Sequence, residues 1–143
     1  MSTTYISVAL RRQVIALANR HCEYCLVHAD DAAFEHEVDH IVAEKHRGLT
    51  VLANLACACF ACNRSKGSDL GSVAKSTEAL TRFFHPRQDQ WADHFQIQEA
   101  EIIPLTEIGE VTAFILGFNT PVRIEERMLL IALGTWPPLS KLP

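Results

Sequence analysis

Val38-Asp39-His40-Ile41, then Gly48, Asn54-Leu55 and Cys59-Phe60-Ala61-Cys62-Asn63-Arg64-Ser65-Lys66-Gly67 form the stretch whose reading decides the fold. The pattern predicts strand, strand and helix within about 35 residues. Phe34 to Ile41 reads as the first strand, with Phe34, His36 and Val38 alternating with Glu35, Glu37 and Asp39. A loop around His46-Arg47-Gly48 leads to a short returning strand over Asn54 to Ala58. A helix runs from about Phe60 to Lys66, with Gly67 placed to stop it. That order can bring Asp39, His40, Asn54 and Asn63 to one small site. His36 falls on the face opposite Asp39 and reads as strand packing.

The cysteines add a second constraint. There are five: Cys22, Cys25, Cys57, Cys59 and Cys62. An odd number in a chain with no secretion signal argues against a disulfide framework. Cys22-x-x-Cys25 and Cys59-x-x-Cys62 are two knuckles of the spacing that lets paired thiolates reach one ion. Four thiolates in a tetrahedron suit Zn²⁺, and they leave no open position for substrate, so such an ion is structural. The rivals are a thiol redox site, for which one motif suffices, and plain buried cysteines. Cys57, left over on the second strand, fits an inward-facing small apolar residue.

Outward from this centre, Ser7 to about Arg20 predicts an amphipathic helix capped by Ser7, with Leu10, Val14, Leu17 and Ala18 on one face. His94 to Leu105 resembles a hairpin, and Thr106 to Phe118 a helix with the stripe Ile108, Val111, Ile115 and Phe118. A last helix starts at Pro121 and ends at Leu133 before Gly134. Phe83, Phe84, Trp91 and Phe95 read as core rather than a base-stacking surface.

At 143 residues, 48% of them hydrophobic and 21% charged, the chain fits one ordered domain. The apolar run Met128 to Leu133 is too short to span a bilayer. Arg11 and Arg12 interrupt the place where a signal peptide needs an apolar region, so a cytoplasmic location is expected. The net charge of −4 is unevenly spread: His40 to Arg87 holds seven basic residues and three acids, 7 − 3 = +4, leaving −8 for the remainder. A basic middle suits local contact with phosphates, although a chance fluctuation of surface charge gives the same count.

The quoted stretch resembles the HNH endonuclease family, in its zinc-containing subset with paired Cys-x-x-Cys knuckles. Residues 22–67 carry the specific part; Phe84-His85-Pro86-Arg87, Trp91 and His94-Phe95 extend the likeness. The resemblance implies an α+β fold: a ββα-metal (HNH) finger with a structural four-cysteine zinc site, an N-terminal helix, and a C-terminal hairpin plus two helices. It implies one nuclease domain over 1–143, with a catalytic core at 20–70 and a support region at 71–143.

It also implies roles. His40 is the general base, Asp39 and Asn63 hold one Mg²⁺ or Mn²⁺, and Asn54 braces the loop. Arg64, Lys66 and Arg47 are the candidate phosphate contacts, and DNA is the expected partner. The third motif position, often His, is Asn63 here, which weakens a transition-metal site. His21 and His28 flank the first knuckle as reserve ligands, while His46 and His85-Pro86-Arg87 are candidate backbone contacts; His94 carries no distinct signal. Two other functions stay open: a zinc-braced binder of nucleic acid that does not cut, and a thiol redox protein.

Overall fold

The computed structural model describes residues 4–141. Ser7 caps helix α1, Val8–Leu17, its hydroxyl accepting from the Leu10 N–H at 3.1 Å. The helix stops short of the predicted Arg20 because Asn19 and Arg20 both take positive φ and turn the chain into the first knuckle. Strand β1 is Glu37–His40 and pairs antiparallel with β2, Leu55–Ala58, in the register Asp39 to Ala56 and His40 to Leu55. The first strand therefore begins three residues later than the alternation predicts. Phe34 stays exposed against Phe60, and the His36 ring bonds the Val27 carbonyl at 2.8 Å, so loop contacts rather than a ladder hold that approach. Helix α2 is Phe60–Lys66, ended by Gly67 at φ 52°.

Strand β2 is buried on both faces, which explains its run of small and apolar residues. Leu55 and Cys57 face Val14, Val38 and Ile6 in a small core beneath α1. Ala56 and Ala58 face the larger core, which contains all four knuckle cysteines together with Tyr24, Phe84 and Phe95. Cys57 is thus the inward apolar residue expected, its thiol pushed up to about 12 by burial.

The second half wraps that larger core. Two short strands, β3 (Gly71–Val73) and β4 (Leu80–Arg82), and one turn of helix, α3 (Trp91–His94), have no counterpart in the sequence reading. The predicted hairpin is β5 (Phe95–Gln98) with β6 (Glu101–Pro104). Helix α5, Pro121–Leu133, lies where the sequence predicts it, whereas α4, Glu107–Ile115, ends three residues short of the predicted Phe118 as the chain turns at Gly117 with φ 66°; Thr106 and Gly134 are their outer caps. Phe83, Phe84, Trp91 and Phe95 are all buried, as expected for core. Among the described residues, no helix is long and apolar enough to cross a membrane.

Candidate active site and metal centre

Cys22 and Cys25 sit in the turn after α1, Cys59 caps α2 and Cys62 lies in its first turn. Their Sγ atoms all lie within 4.8 Å of one another, and Cys25 and Cys59 approach to 3.7 Å. A tetrahedral Zn–S cage needs S···S separations of about 3.8 Å, so the donor set and the geometry fit zinc. Two backbone N–H groups point at the sulfurs: Cys25 N–H to Cys22 Sγ at 3.5 Å and Cys62 N–H to Cys59 Sγ at 3.4 Å. Arg123 on α5 adds a full positive charge, its Nη2 3.1 Å from Cys62 Sγ and 4.0 Å from Cys59 Sγ. Burial pushes the Cys22 and Cys62 thiols up, while hydrogen bonds from neighbouring thiols hold Cys25 down. A cation at the centre removes that conflict by favouring every thiolate. Among the described residues the cysteines form no disulfide.

Next to the cage along α2, Asp39, His40, Asn63 and Lys66 line one small cleft with Tyr24. The pleat sends Asp39 toward solvent and His40 inward, so the imidazole is buried while the carboxylate keeps partial access to water. His40 Nε2 lies 2.8 Å from Thr50 Oγ1, and that hydroxyl lies 3.4 Å from Glu44 Oε1. An ionised carboxylate only accepts, so the Thr50 hydroxyl donates to Glu44 and accepts from the Nε2–H. The lone pair then falls on Nδ1, which is buried without a hydrogen-bond partner and 3.8 Å from Asp39 Oδ1. Asn63 Nδ2 donates to Glu37 Oε2 at 2.8 Å, which leaves Oδ1 as the amide atom open to an ion. Two hard oxygens with few other protein donors suit Mg²⁺ or Mn²⁺.

Asn54 stands behind the cleft. Its Oδ1 accepts from the Val42 N–H at 2.9 Å, and its Nδ2 donates to the carbonyls of Val42 and Leu49, each at 2.9 Å. The loop that carries Thr50 is thereby pinned to the end of β1. Gly48 makes this close approach possible: a Cβ there would fall 1.7 Å from the Val42 carbonyl oxygen.

Several sequence readings need revision. Lys66, a candidate phosphate contact, is buried instead, its Nζ 3.3 Å from the His40 carbonyl oxygen, and burial lowers its pKa. Arg64 and Arg47 are exposed, Arg47 closing the loop turn at φ 72°. Arg87 is no free surface cation: both its terminal nitrogens bond the Glu23 carboxylate, which also accepts from the Cys57 N–H. His21 and His28 pack edge to face at 4.8 Å, outside the four-sulfur group. His85 accepts from the Arg87 N–H and His94 bonds Thr106, both local structural contacts. Thr50, Glu37, Glu44 and Arg123 have no functional role in the sequence reading. Only Glu44 has a local signal, four residues after His40.

The HNH endonuclease family model matches residues 22–69. No curated protein and no solved structure matches the chain. The matched residues include both knuckles, β1, β2 and α2, and so the cage and the cleft together. Residues 22–69 are thus similar to an HNH endonuclease domain, a likeness that points to a nuclease-type, nucleic-acid-related role.

Proposed function

We propose that this chain is a divalent-metal-dependent endonuclease that hydrolyses DNA phosphodiester bonds, with His40 as general base. The observation that carries this reading is the unpartnered Nδ1 of buried His40, facing Asp39 in the cleft that Asn63 also lines. In the reaction His40 Nδ1 takes a proton from water as the water oxygen bonds to phosphorus, and the bond from phosphorus to the 3′ oxygen breaks. The products are 5′-phosphate and 3′-hydroxyl ends. Thr50 and Glu44 hold the imidazole in the required tautomer, and Asp39 faces the imidazolium that forms. Asp39 and Asn63 Oδ1 would hold the ion, which supplies positive charge to the departing oxygen when bound. Asn54 fixes the loop behind the base, and Lys66 fixes the end of β1. Exposed Arg64 and Arg47 meet backbone phosphates. The zinc cage and residues 71–143 brace this unit.

Supercoiled plasmid incubated with Mg²⁺ or Mn²⁺ tests the proposal. Nicking should need the ion and disappear in a folded His40→Ala protein. Nicking that survives that substitution rules out the base. One observation favours a second reading, a zinc-braced nucleic-acid binder without catalysis: the buried Lys66 ammonium already offsets Asp39. Tight, salt-sensitive DNA binding with no nicking under any divalent ion would establish it.

A further inference from the structure

An open groove of about 440 Å³ runs between the 27–34 loop, the start of α2 and helix α5. Its aromatic wall is Phe34 and Phe60, which are 62% and 40% exposed. The two rings lie 4.7 Å apart, tilted by 36°, and the Arg64 guanidinium covers the Phe60 ring at 5.7 Å. The opposite wall is Leu129, Leu130 and Leu133 of α5. The mechanism uses neither ring and none of the three leucines. Two large exposed aromatics in contact, topped by an exposed cation, are costly to leave facing water without a ligand.

We infer that Phe34, Phe60 and Arg64 form a stacking site for an unpaired nucleobase of the strand presented to the cleft. The inference rests on the nuclease reading above. Phe60 and Asn63 are one helical turn apart on α2, so the helix that supplies the aromatic wall also supplies the cleft. Ring faces accept any base, while a guanidinium on the same stack meets both base and phosphate. The combination of charge and π-face is what separates this wall from a seat for a purely apolar partner. The substrate class it implies is DNA with unpaired or extruded bases near the cut, rather than a continuous duplex.

The test uses the full chain without added Mg²⁺ or Mn²⁺, so that binding is read without cleavage. The probes are a dye-labelled single-stranded oligodeoxynucleotide and its abasic counterpart. The native protein should prefer the intact strand about tenfold or more. Phe34→Ala should weaken binding of the intact strand about 5- to 100-fold and leave abasic binding unchanged. Phe60→Tyr should keep the preference, since the ring is retained. Melting temperatures close to that of the native protein would show that the variants are folded. Equal affinity for the two strands overturns the inference. So does a native dimer, seen by sedimentation, that Phe34→Ala or Leu133→Ser dissociates, because the groove would then seat a second copy. A native protein that nicks plasmid yet ignores base content loses this inference alone; one that neither cuts nor binds loses the nuclease reading as well.

Discussion

Asn54 shows how much of the candidate site depends on residues that do no chemistry. Its three hydrogen bonds join the end of β1 to the loop bearing Thr50, and Thr50 sets the His40 tautomer. Asn54→Ala would leave the Val42 N–H without its partner, at a cost of about 1–3 kcal/mol. Denaturant unfolding should show that loss, and nicking should fall by about tenfold or more because the base is no longer held. Gly48→Ala should be worse for folding, since its new methyl group meets backbone rather than a side chain that can move. Thr50→Val separates position from stability. It removes the acceptor of the Nε2–H while keeping the shape, so kcat should drop about tenfold with KM little changed. A Thr50→Val enzyme with native kcat would remove Thr50 from the mechanism.

At the scale of elements, residues with local signals are legible in the sequence and those with long-range partners are not. Ser7, Gly67, Thr106, Pro121 and Gly134 mark helix ends through their own backbone chemistry, and each stands where the sequence predicts. The paired knuckles are legible because spacing alone limits what two thiols can reach. The strands β3 and β4 are three residues each, too short for an alternating pattern to show. The ion pair of Arg82 with Asp89 steadies that region and sets a pH dependence. Arg82 holds the Asp89 carboxyl down at about 2, below its usual 3.8. Its stabilisation is therefore full above pH 3.8 and lost as pH falls through about 2. Asp89→Asn should lower the melting temperature at neutral pH and flatten its decline between those values. Arg123 is invisible in the sequence because nothing near it points to the cage, 61 residues away. Arg123→Met should weaken zinc retention about 10- to 100-fold in competition with a chelating dye.

Across the whole molecule, the two expected metals have separable tasks because their ligands differ: four buried thiolates for one, the oxygens of Asp39 and Asn63 for the other. The four cysteines lie within the larger core, in contact with the aromatics that the second half contributes. Trp136 donates to the Cys25 carbonyl at 3.1 Å, and Trp91 to the Tyr24 carbonyl at 2.9 Å, so the first knuckle is a joint for distant parts of the chain. Extracting zinc would leave four buried sulfurs without a cation, and both knuckles would lose their common fixed point. The cleft, by contrast, offers an ion only Asp39 and Asn63, and the Asp39 carboxylate is partly exposed, so an ion held there contributes little to folding. Magnesium depletion should therefore abolish nicking while the melting temperature stays nearly constant. Zinc extraction with a strong thiol-compatible chelator should lower the melting temperature steeply and broaden the transition. Restoring zinc before magnesium should recover both fold and activity, whereas magnesium alone should recover neither. A protein stripped of zinc that melts like the native one would show that the cage is not a folding element.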